Sequence, residues 1–155
     1  MTHDIDTRLT ELGYVLPDAP APAANYVPYV LVGDLLHVSG QISQTPDGFI
    51  TGKLGQDLSA EQGAEAARSC ALSLLSQVRA ACGGDLKKLR RVVKLTGFVN
   101  STPDFTDQPK VVNGASDLMV EILGEAGRHA RSAVSAGSLP FGVAVEIEGI
   151  FQLES

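Results

Sequence analysis

The chain has no tryptophan, only two cysteines and three histidines among its 155 residues, and aromatics make up just 5% of it. Each shortage excludes some chemistry. Cys70 and Cys82 form no C-x-x-C pair, and the helical pattern between them would hold them roughly 18 Å apart, too far for a disulfide. Core thiols are the expected role. His3, His37 and His129 are scattered, and none has a second ligand at i, i+4, so no metal is expected. His37 reads as a surface or interface residue. There is no G-x-S-x-G, no P-loop and no G-x-G-x-x-G, which removes support for a hydrolase triad or a nucleotide cofactor. A basic surplus is missing too: 12 basic against 18 acidic residues give a net charge of -6. Nucleic-acid binders usually carry a basic stripe. The single basic run, Lys87-Lys88-Leu89-Arg90-Arg91, reads as a solvated corner. No apolar run approaches the ~20 residues of a membrane helix, and no signal peptide is visible. The expectation is a soluble cytoplasmic protein with no cofactor and no membrane partner.

What is present is a pattern for one α+β domain. Asp4 to Leu12 reads as a short helix stopped by Gly13, followed by a proline-rich extended connector over 17–24. Residues 1–24 are accordingly taken as an extension and 25–155 as the domain. Tyr29 to Val32 and Leu35 to Ser39 read as strands around a Gly33-Asp34 turn, and Gln41 to Asp57 as a long loop. Ser59 to Cys82 is the clearest helix, with capping-box spacing between Ser59 and Gln62 and an apolar stripe over Ala64, Ala67, Ala71, Leu74, Leu75, Val78 and Cys82. Leu89 to Val99 reads as a strand with Val93, Leu95, Gly97 and Val99 on one face. A second helix runs to about Leu123 with Val112, Leu118, Met119, Ile122 and Leu123 inside. Ala130 to Ala136 and Val143 to Leu153 complete a mixed sheet. The two long helices would cover one face of it. The other face, carrying Glu146, Glu148 and Ile150, is left for contact with another subunit.

Two charges stand where buried strands seldom carry any: Arg131 and Glu146. An unpaired charge in such a place is costly unless it is paired or binds something. The plain reading of Arg131 is an ion pair with Glu146, Glu148 or Glu125. The functional reading is capture of a carboxylate by a two-pronged hydrogen bond, with Glu146 positioning water.

Val38-Ser39-Gly40-Gln41-Ile42, and Ala130-Arg131-Ser132-Ala133-Val134 through Leu139-Pro140 to Val145-Glu146-Ile147-Glu148, resemble the two signature regions of the Rid (reactive intermediate deaminase, YjgF-like, L-PSP endoribonuclease-like) family. Phe98-Val99-Asn100 followed by Asp104-Phe105 is similar to that family's central strand entering its second helix. The resemblance spans roughly residues 25–153 and implies a chorismate-mutase-like fold and a homotrimer with clefts between subunits. It implies a cofactor-free deaminase, a hydrolase converting small enamines and imines such as 2-aminoacrylate and 2-iminopropanoate to 2-keto acids and ammonia. Carried over by position, Arg131 matches the arginine that binds the substrate carboxylate and Glu146 the acid that positions water. Tyr26 matches a cleft tyrosine, Ser39 and Gly40 the cleft wall, and Asn113 a cleft asparagine. The N-terminal helix, the long 43–58 loop and the 107–116 segment look like a divergent branch of the family; Ala133 stands where the typical deaminase has cysteine, and one extra residue lies between Arg131 and Leu139-Pro140, two departures that bear on the substrate. The alternatives are a non-catalytic trimer that binds a small carboxylate, favoured by Ala133, and an endoribonuclease, disfavoured by the acidic balance.

Overall fold

A computed structural model describes residues 4–19 and 24–155. Helix α1, Ile5–Glu11, is capped by the Asp4 side chain, which accepts from Thr7 N, and Gly13 leaves it with φ +78°. Of the expected proline-rich connector, residues 20–23 lie outside the described residues. Strands β1 (Tyr29–Val32) and β2 (Leu35–Ile42) form the expected hairpin, closing at the Val32–Leu35 pair. Two-residue strands β3 (Gln44–Thr45) and β4 (Gly48–Phe49) make a small hairpin of their own. Helix α2 (Ala60–Ala81), strand β5 (Leu89–Asn100), helix α3 (Gln108–Leu123), and strands β6 (Ala130–Ala136) and β7 (Val145–Leu153) follow.

The sheet order is β1-β2-β7-β5-β6. Only β5 and β6 are parallel, and a parallel pair needs a crossover, which α3 supplies. Both long helices lie on one face, so the fold is α+β as expected. Leu95, Val99, Val145, Ile147 and Phe151 face them from the sheet and are fully buried. Leu74, Leu75, Val78, Leu118, Met119 and Ile122 meet them from the helices. The opposite face carries Glu148 and His37, both exposed, with Ile150 and Glu146 half-buried.

Three expectations require correction. Residues 41–57 are not one long loop. The β2 strand continues to Ile42 beyond a bulge between Val38 and Gln41. The segment after β4 then bridges Thr51 to Val143 and Leu54 to Ser101, with Leu54 fully buried. The bulge shifts the side-chain alternation by one, which hides the strand's continuation from a period-2 reading. In β5 a second bulge between Val92 and Lys94 turns Val92 into the core and leaves Val93 half-buried. In α2 the buried face is wider than the expected stripe: it takes in Gly63, Ala66 and Cys70, while Ala64 is only half-buried. This helix packs on the sheet and on α3 at once.

The contact between α2 and α3 depends on backbone. A Cβ added at Gly114 would strike the Ala64 carbonyl of α2. Alanine would add about 1 kcal/mol of helix propensity, but overpacking against backbone costs about 1–3 kcal/mol or more because no rotamer can yield. Gly114→Ala is therefore expected to lower the thermal midpoint by several degrees in calorimetry. An unchanged or raised midpoint would contradict the close approach.

Candidate functional site

Arg131 lies on β6 in register with Leu95 of β5. Paired residues in neighbouring strands project to the same face, so Arg131 shares the helix-covered face with Leu95, which is fully buried. There its half-buried side chain meets α3. Nη1 donates to Asn113 Oδ1 at 2.8 Å and to Ser116 Oγ at 3.2 Å. Asn113 and Ser116 sit at i, i+3, adjacent on one helix face. The ion-pair reading fails. Glu125 pairs with Arg128 at 3.8 Å, and none of the ion pairs among the described residues includes Arg131. Its guanidinium is held by neutral acceptors, and Nε and Nη2 have no hydrogen-bond partner among the described residues.

Two residues that sequence reasoning missed complete this cluster. Ser116 Oγ lies 2.9 Å from His129 Nε2, and His129 Nδ1 lies 2.6 Å from the Gly127 carbonyl. Burial pushes the His129 pKa down, with the Arg131 charge adding to the effect, although the Gly127 hydrogen bond opposes it. The lowered pKa favours the neutral ring. A carbonyl can only accept, so Nδ1 carries the hydrogen and Nε2 accepts from Ser116. The one signal in the sequence was position: His129 lies two residues before Arg131, on the same side of the chain at the entry to β6.

Glu146 belongs to a different place. It pairs with Ile42 on β2 and with Phe98 on β5. Phe98 is three residues from Leu95, so Glu146 projects to the face that no helix covers. Its carboxylate lies directly over Gly40, where any side chain would run into it. Gly40 occupies the bulge of β2, which makes this approach possible. Ser39, its neighbour, donates through N to the Pro28 carbonyl at 2.8 Å and through Oγ to the Val27 carbonyl at 2.9 Å. Those bonds fasten the segment that carries Tyr26, which is 56% exposed. Partial burial raises the Glu146 pKa, and the nearby Glu148 charge raises it further.

The expected site residues therefore fall into two groups. Arg131 and Asn113 come together on the helix face. Ser39, Gly40 and Glu146 come together on the open face, with Tyr26 in the segment fastened beside them. Arg131 and Glu146 are two strands apart and three register positions apart, about 10 Å along and about 10 Å across the sheet, and they point to opposite sides. Ala133 shares the face of Arg131 and pairs with Gly97, over which Val112 of α3 packs closely.

Among the described residues no three His, Cys, Asp or Glu side chains are grouped as metal ligands would be. Cys70 and Cys82 are free and buried, and burial pushes the Cys70 thiol far up. No helix among the described residues is long and apolar enough to cross a membrane. A groove of about 470 Å³ between residues 15–18, the β3–β4 hairpin and α2 contains none of the site residues.

Residues 6–147 match the family model described as "YjgF/chorismate mutase-like, putative endoribonuclease". The chain is 51% identical over 153 residues to Protein TCP17 of Trypanosoma cruzi, covering 97% of this chain and 95% of that one. It is 34% identical over 136 residues to the RutC family protein y4sK of Sinorhizobium fredii, covering 88% and 93%. The crystal structure of Atu1372 from Agrobacterium tumefaciens superposes with a TM-score of 0.90 at 49% identity, covering 97% of this chain and 92% of that one. The signature regions around Ser39-Gly40 and Arg131 to Glu146 thus sit on the fold that their resemblance implied, and the chain belongs to the YjgF/chorismate mutase-like family.

Proposed function

We propose that this protein hydrolyses small 2-imino acids to 2-keto acids and ammonia, as a homotrimer whose clefts join the Arg131 group of one subunit to the Glu146 group of the next. The observation that carries the reading is the state of the Arg131 guanidinium. Asn113 and Ser116 occupy Nη1, so the remaining edge, Nε and Nη2, is oriented and without a protein partner among the described residues. That edge matches a planar carboxylate in bidentate geometry. The opposite placement of Glu146 supports the oligomeric part, since one chain alone offers the two groups to different sides of its sheet.

In this mechanism Arg131 fixes the plane of the imino acid by its carboxylate. Glu146 takes a proton from water as the oxygen attacks the imine carbon, forming a C–O bond while the C=N π electrons move to nitrogen. Glu146 returns that proton to nitrogen to give the neutral carbinolamine, then carries the hydroxyl proton to the same nitrogen, so that the C–N bond breaks as the C=O bond forms and ammonia leaves the keto acid behind. An imine carbon is already electrophilic, so positioned water and a proton shuttle are enough. A carboxylate with a raised pKa suits both halves of the transfer, because its proton affinity lies closer to the working pH.

With imine generated in situ and keto acid and ammonia followed, Arg131→Ala is expected to lower kcat/KM by about 100-fold, the value of a charge-assisted bidentate contact. Arg131→Lys should recover little, because a point charge does not reproduce the fork. A wild-type rate in Arg131→Ala would remove the carboxylate anchor. Keto-acid binding without turnover in the unmodified protein would favour a non-catalytic carboxylate-binding trimer, the reading that Ala133 leaves open.

Glu146→Gln should lower kcat by about 10²–10⁴-fold. The activity of the unmodified protein should fall as pH drops through the raised Glu146 pKa, because the base becomes protonated. The same shift acts on stability. A carboxyl whose folded pKa is raised favours the fold below its unfolded value, and that contribution is lost as pH rises through the folded value. Glu146→Gln should therefore raise the thermal midpoint relative to the unmodified protein at neutral pH, with the gap closing in acid. A lower midpoint at neutral pH would contradict the assignment of burial as the cause.

A further inference from the structure

We infer that Ser116 and His129 are positioning residues for Arg131, and that together they fix which edge of its guanidinium is presented to a carboxylate. This rests on the reading of Arg131 as the carboxylate anchor and adds how that anchor is aimed. The chain of contacts has a defined direction. The Gly127 carbonyl takes the Nδ1 hydrogen of His129 at 2.6 Å. That leaves Nε2 as an acceptor, and the Ser116 hydroxyl hydrogen points to it at 2.9 Å. With its hydrogen so committed, Ser116 Oγ turns lone pairs toward Arg131 Nη1 at 3.2 Å. Asn113 Oδ1 takes the other Nη1 hydrogen at 2.8 Å. Both hydrogens of Nη1 are thereby used, and the guanidinium cannot rotate to offer that nitrogen without breaking both bonds.

The turn that holds His129 is built to close tolerance. Residues Gly124–Gly127 form a 3-10 turn after α3. A Cβ at Gly127 would strike the Met119 carbonyl of α3. The turn thus lies backbone against backbone on the helix, one helical turn beyond Ser116, which sets the Gly127 carbonyl and His129 at fixed places relative to Ser116 and Arg131. A histidine held only for packing would not need an acceptor at Nε2 or a hydroxyl facing it. Reversal of the chain is unfavourable as well. If His129 carried its hydrogen on Nε2, Nδ1 and the Gly127 carbonyl would meet as two acceptors at hydrogen-bond distance, a repulsive arrangement.

The test uses pyruvate as the probe carboxylate, titrated by calorimetry into the full-length protein and four variants, with imine turnover measured alongside. Ser116→Ala and His129→Phe are each expected to weaken pyruvate binding by about tenfold, the scale of losing one hydrogen bond to a charged group. The loss in turnover should fall in KM more than in kcat. His129→Gln, which keeps an acceptor near the place of Nε2, should recover most of the affinity. Ring ¹⁵N NMR of the unmodified protein at pH 7 should show His129 as the neutral Nδ1–H tautomer. Wild-type pyruvate affinity in both Ser116→Ala and His129→Phe, while Arg131→Ala loses binding, would overturn the positioning role and leave the anchor intact. An Nε2–H or cationic His129 would overturn it too. Wild-type affinity in Arg131→Ala would overturn the anchor itself and this inference with it.

Discussion

Side-chain alternation along β-strands governs how this site can be assembled. Register ties Arg131 to Leu95 and Glu146 to Phe98, and Leu95 and Phe98 stand an odd number of residues apart on one strand. The two charged groups therefore emerge on opposite faces, and no rotamer change brings them together within a chain. Each face then equips its charge differently. The covered face supplies α3, whose neutral acceptors orient the guanidinium without cancelling its charge. The open face supplies partial burial, the neighbouring Glu148 and a glycine bulge. Together these raise the proton affinity of Glu146 and give its carboxylate room.

The packing explains why α3 can serve as the arginine's support. Gly114 lets α3 approach α2 along its backbone, and Gly127 lets the following turn lie against α3. Asn113 and Ser116 lie on the same helix as Gly114, so the contacts that seat the helix also set the height at which their side chains meet β6. Stability and site geometry share residues here. A change that loosens α3 moves the acceptors of Arg131 even if it touches neither of them.

Much of this architecture was legible in the sequence because it is encoded locally. The Ser59–Gln62 capping box forms with both hydrogen bonds in place, and the inner face of α3 contains every residue its periodicity indicated. The alternation of β7 likewise holds from Val145 to Leu153. What escaped is set by pairing between strands or by contacts distant in sequence. The bulges at Ser39-Gly40 and at Val92 shift an alternation by one residue for the sake of a partner strand, and a single strand carries no record of its partner. The opposition of Arg131 and Glu146 depends on register across three strands. Asn113 was reached through family resemblance, not periodicity. Ser116 gave no signal and His129 only its place two residues before Arg131, since a serine within a helix and a histidine before a strand each have ordinary local explanations.

The most direct test of the account is subunit complementation. Arg131→Ala and Glu146→Gln chains, each inactive alone, are unfolded together in equal amounts, refolded and assayed for imine hydrolysis. If each cleft takes Arg131 from one subunit and Glu146 from its neighbour, random assembly leaves both wild-type groups in about one quarter of clefts, and activity should return to about that fraction of the unmodified protein. Activity no greater than the sum of the two separate variants, in a mixture shown by native mass spectrometry to contain hybrid oligomers, would contradict a shared cleft.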